Sequence, residues 1–123
     1  MKKLTLFLFL ISIVSFAQDS CKVSVMKHSG TSNYKKSSLK LIEQLDVDKD
    51  CNYHVLSFTV EFTTDKHKEQ YKFDLPGNRI PEKVSKHLIE ADDKIIFSNI
   101  LVGTGYSKDK RVTMPDIVLQ VVK

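Results

Sequence analysis

Leu56, Phe58, Val60 and Phe62 alternate with Ser57, Thr59 and Glu61 across residues 53–63. That is the period-two pattern of a strand with one buried face. A polar stretch, Thr64 to Glu69, leads to Tyr71, Phe73 and Leu75, which alternate with Lys72 and Asp74. Two such runs joined by a short polar connection predict an antiparallel hairpin, and Pro76-Gly77-Asn78 then supplies turn residues. Residues 81–90 predict a short helix. Pro81 suits the first helical position, Glu82 complements the positive end of the dipole, and Val84 and Leu88 lie one turn apart. The stripe is narrow, so this helix is expected on a sheet surface, ended by Asp92-Asp93. From Lys94 to Val102 the chain returns to strand character, with Ile95, Ile96, Phe97, Ile100 and Leu101 apolar on both sides, as expected of a central strand. Val112 to Val122 predicts a last strand, which Pro115 places at an edge or a bulge.

Upstream of the hairpin the pattern is weaker. Val23 and Val25, separated by Ser24, predict a brief strand. Ser29 to Ser38 is polar and reads as an exposed loop. In residues 38–45, Leu41 and Leu45 match helical spacing while Leu39 and Leu41 match strand spacing, so the element type stays open. The expected fold is mainly β: one small antiparallel sandwich-like domain with a single short helix at about 81–90.

The first residues do not belong to that pattern. Met1-Lys2-Lys3 is a positive start, Leu4 to Phe16 is an almost unbroken apolar run, and Ser15-Phe16-Ala17 puts small residues at −3 and −1 of a leader-peptidase site. Residues 1–17 are therefore expected to be a signal peptide cleaved between Ala17 and Gln18, leaving 18–123 as one extracytoplasmic domain. The apolar run is too short to span a bilayer, which needs roughly 18 residues or more. No later stretch is apolar enough to span one. Gln18-Asp19-Ser20 lacks the small and aliphatic residues that would make Cys21 a lipidation site. Export sets the reading of the two cysteines, since thiols oxidise beyond the cytoplasmic membrane. The pair reads first as one disulfide, Cys21–Cys51, ahead of two free thiols or a bridge to a partner. Export also changes the charge. The formal +4 of the whole chain includes Lys2 and Lys3, and without them 17 basic face 15 acidic side chains. Acids lie among each lysine cluster and there is no tryptophan, so nucleic-acid binding is not expected.

Candidate chemistry is sparse. Asp46, Asp48 and Asp50 occupy the first, third and fifth positions of a calcium loop, but Cys51 stands where the turn glycine belongs and Ser57 where the bidentate glutamate belongs. They are weak metal candidates, and no metal or cofactor is expected. His28, His54, His67 and His87 are scattered, with His67 and His87 read as solvated. No serine sits in a nucleophile elbow, and Gly103-Thr104-Gly105 connects strand to strand with no helix behind it to hold a phosphate. The expectation is that the protein is not an enzyme.

One resemblance adds to this. Val55-Leu56-Ser57-Phe58-Thr59-Val60, Leu75-Pro76-Gly77-Asn78-Arg79-Ile80, Leu88-Ile89-Glu90, Asp93 to Ile100, Lys110-Arg111 and Met114 to Leu119 follow one another in order. This stretch, roughly residues 53–123, resembles the C-terminal domain of the gliding-motility protein GldM and related domains of some envelope-spanning sensor metallopeptidases. Asp92-Asp93 departs from it, where relatives often have glycine. The resemblance implies a mainly β domain outside the cytoplasmic membrane that makes protein contacts and has no catalytic residues. In that family GldM couples an inner-membrane motor to gliding and type IX secretion through a transmembrane helix and a long stalk. This chain lacks both, so only the binding-module role carries over. The expected function is an exported, non-catalytic interaction module of the cell envelope, periplasmic or secreted. Its partner would be an envelope or secreted protein, docked on a sheet edge, on Gly103–Lys110 or on Ser29–Ser38. The alternative is a small-ligand or calcium-binding envelope protein.

Overall fold

The computed structural model describes residues 21–48, 51–64, 69–104 and 111–123. Along the chain run β1 (Val23–Ser24), β2 (Thr31–Lys35), a 3-10 helix (Lys36–Leu41), β3 (Asp46–Val47), β4 (Tyr53–Thr64), β5 (Gln70–Pro76), α1 (Glu82–Leu88), β6 (Ala91–Thr104), β7 (Arg111–Met114) and β8 (Ile117–Val122). β1 and β3 pair as a small ribbon, and the other six strands form one sheet in the order β2-β8-β6-β4-β5, with β7 also on β6. The domain is mainly β, as its alternation predicts.

The β4–β5 hairpin stands as expected, with Phe58 opposite Leu75, Val60 opposite Phe73 and Phe62 opposite Tyr71. These side chains share a face with Ile95, Phe97, Ile117 and Leu119 of the neighbouring strands; together they form the core, with Tyr71 and Phe73 partly buried against it. The second layer of the sandwich is not a second full sheet. Val23 and Val25 near the ribbon, Leu39 of the 3-10 helix, Ile42, Leu45, and Val84 and Leu88 of α1 complete the same core. The segment after the 3-10 helix is tied to the segment before α1 by Leu45 N–H to Asn78 O at 2.8 Å and Ile80 N–H to Glu43 O at 2.9 Å.

Several local expectations are corrected. The period-two pattern of β4 slips at its start: Val55 is buried and Leu56 only partly so. Register shifts between Val55 and Ser57 against β6, and a bulge of this kind reverses which residues face the core. Ser29–Ser38 is not a loop but β2 and the start of the 3-10 helix, and β2 lies parallel to β8, from Thr31 opposite Val118 to Lys35 opposite Val122. Its polar residues escape detection because an edge strand with one solvated face needs only Tyr34 buried. The 38–45 stretch is neither α-helix nor strand over its first half. Asp92-Asp93 does not end α1, which stops at Leu88; both aspartates belong to β6. β6 is central as predicted, and it reaches further than its apolar run on both sides. The last strand breaks at Pro115-Asp116, between β7 and β8, opposite a distortion of β6 at Asn99, where φ is +49.

Candidate functional site

Cys21 and Cys51 are joined, with Cα atoms 5.7 Å apart. The bridge holds the segment before β1 against the start of β4, and Asp48 reinforces it. Lys22 N–H donates to Asp48 Oδ2 at 3.3 Å, Asp48 N–H to Lys22 O at 3.2 Å, and Cys51 N–H to Asp48 O at 3.1 Å. β1 is thereby positioned beside the sheet, although it contributes only two residues.

After β1 the chain reverses at Met26 and Lys27, both with positive φ, closed by Val25 N–H to His28 O at 2.9 Å and His28 N–H to Val25 O at 2.8 Å. Gly30, with φ of +67, then turns it into β2. That left-handed conformation suits glycine, which has no Cβ to clash. Gly30 O accepts Val118 N–H at 2.8 Å, so β2 joins the sheet only from there on and runs beside β8. β7, which continues the line of β8 along β6, pairs with β6 alone among the described strands.

The result is a cleft of 510 Å³ beside β7. One wall is the tethered segment Cys21–Val23, another is Ser29-Gly30, and Tyr53 and the run Val112–Ile117 complete the lining. Its surface is mostly apolar, and β7, which pairs with β6 alone among the described strands, lies along one side. Such an opening can take apolar groups and main-chain hydrogen bonds together. A volume of this size is also within the range of small-molecule sites, about 300–1,000 Å³.

Two of the three weak metal candidates are described, and each carboxylate accepts a hydrogen bond. Asp48 accepts from Lys22 N–H, Asp46 Oδ1 accepts from Gln44 Nε2 at 2.8 Å, and Asp50 lies outside the described residues. Among the described residues, no three His, Cys, Asp or Glu side chains gather in a way that could hold a metal ion. His67 and Gly105–Lys110 also lie outside the described residues, as do residues 1–20. Among the described residues, no helix is long and apolar enough to cross a membrane.

Two side-chain clusters escaped the sequence reading. His87, expected to be solvated, instead stacks on Tyr71, ring centroids 4.6 Å apart, and Tyr71 continues into Phe73 and Phe62. Tyr71 O–H donates to Glu69 Oε2 at 2.9 Å, and this bond, followed by burial, pushes the phenol pKa up. On the opposite face of the sheet, Thr59 Oγ1 donates to Asp74 Oδ1 at 2.6 Å and accepts Asn99 Nδ2 at 3.4 Å. No motif signals either cluster, because each is assembled from residues on separate elements. No known family's profile matches the chain, and no curated protein matches it.

Proposed function

We propose that this protein is an exported, non-catalytic interaction module of the cell envelope. The observation that carries the reading is the mostly apolar cleft along β7, one wall of which is tethered by a disulfide. A disulfide belongs to an oxidising compartment, which agrees with the leader-like first 17 residues. The resemblance to the GldM C-terminal domain adds a process, gliding or type IX secretion-type machinery, and the partner is then an envelope or secreted protein. The test is in-cell cross-linking from a photoreactive residue at position 112, beside the cleft, with position 70 on the far edge strand as the comparison. A discrete adduct to one envelope protein from position 112 is the expected result. Adducts from neither position would remove the reading.

The cleft volume also favours a second reading, a small-ligand protein. Solvent extraction of the purified protein followed by mass spectrometry would then yield one molecule in stoichiometric amount. The calcium version of that reading predicts a higher melting midpoint on adding calcium, by mass action. With Asp46 and Asp48 engaged as they are, no shift is expected.

A further inference from the structure

We infer that β7 is a strand-addition site: a short extended segment of a partner protein pairs with its open edge and drops alternate apolar side chains into the cleft. The inference rests on the interaction-module reading and specifies what the partner presents.

The occupant follows from the chemistry of the edge. In an antiparallel pair, alternate residues turn both N–H and C=O toward the neighbour and the others turn theirs away. β7 is bonded to β6 from Gly103 opposite Arg111 to Ile100 opposite Met114, so half of its main-chain groups face the other way. Along β8 the corresponding groups are used by β2, as Val118 N–H to Gly30 O shows. Along β7 no described strand takes them, because Gly30 and the Val25–His28 reversal carry the chain off the sheet at that level. Unpaired donors and acceptors at strand spacing select an extended backbone rather than a helix or a flat apolar surface. Pro115 has no N–H and ends the row, so the added strand is about four residues, or roughly 13 Å.

The cleft states what the side chains should be. Val23, Val112, Met114 and Ile117 supply apolar walls, and Lys22 and Asp116 stand at the lining with opposite charges. An added strand would therefore alternate apolar residues, facing the cleft, with polar ones facing solvent. Val112 is 40% exposed, more than an apolar strand residue with a neighbour on both sides would be.

The probe is a random heptapeptide library displayed on phage and selected against the disulfide-bonded protein. The selected peptide is then synthesised with one or the other set of alternate backbone amides N-methylated. Strand addition predicts a peptide with alternating apolar residues and slowed amide exchange within Arg111–Met114 when it binds. Methylating the set that faces β7 should weaken binding about tenfold, and methylating the other set should not. Val112→Asp should weaken binding similarly while leaving the melting midpoint close to that of the parent. A peptide that protects other amides, one that tolerates both methylations, or no selected peptide at all overturns the proposal. It fails separately from the broader reading: an envelope partner cross-linked from other surfaces, with β7 unprotected, removes strand addition alone.

Discussion

Thr64 ends β4 fully buried, and among the described residues its hydroxyl has no hydrogen-bond partner. A buried polar group without a partner costs about 1–3 kcal/mol. Thr64→Val keeps the shape and removes the hydroxyl, so it should raise stability by about 1 kcal/mol in urea denaturation. A midpoint below the parent's would mean that the hydroxyl is bonded after all. Tyr34 presents the reverse case. Its O–H donates to Ser38 O at 3.0 Å, and burial raises its pKa. The fold therefore keeps a proton that the unfolded chain releases. Tyr34 contributes its full stability below about pH 10 and loses it as pH climbs through the higher folded value. Tyr34→Phe should be less stable than the parent near neutrality, and the gap should shrink in melts run above pH 10. A constant gap would contradict the assignment. Neither residue could be singled out in advance. Thr64 follows the period-two run as one more polar residue, and Tyr34 is a lone aromatic in a polar stretch. Burial is decided by what packs against them from elsewhere in the chain.

At the scale of elements, what is legible depends on how locally an element is determined. The β4–β5 hairpin and α1 follow from alternation, turn residues and one apolar stripe, all contained within a few residues. β2 does not, because Thr31–Lys35 becomes a strand only by lying against Val118–Val122, some ninety residues later. The slip at Val55 and the distortion at Asn99 likewise exist only in relation to the neighbouring strand. The disulfide sits between these cases: two cysteines and a leader-like start imply it, while the place of Cys21 in the wall of the cleft depends on the folded chain. Replacing both cysteines by serine should cost about 3 kcal/mol by releasing the unfolded chain from a long loop. It should also speed amide exchange at Val23 and Ser24 first, since β1 is two residues long and pairs only with β3 among the described strands. Equal stability of the two forms would show that the bridge adds nothing to the fold.

For the molecule as a whole, the first 17 residues and the rest make separate statements. Protein recovered from the envelope or medium of the producing cells should begin at Gln18 by mass spectrometry. An intact Met1 in that material would defeat the export reading. Composition, alternation and cysteine count were enough, from the sequence alone, to imply a single mainly β domain, its central strand, its hairpin, its helix and its disulfide. They also showed which catalytic and metal motifs the chain does not spell out. Only the tertiary structure decided the parallel edge pairing, the layer that closes the core, and the place of β7, which pairs with β6 alone among the described strands and lies beside the cleft. The physical reason is range. Periodicity reports how a segment divides its faces between core and water, whereas an open edge is a relation among strands distant in sequence. Gly30, turning one short strand away at the level of Pro115, leaves almost no trace in the pattern of either segment.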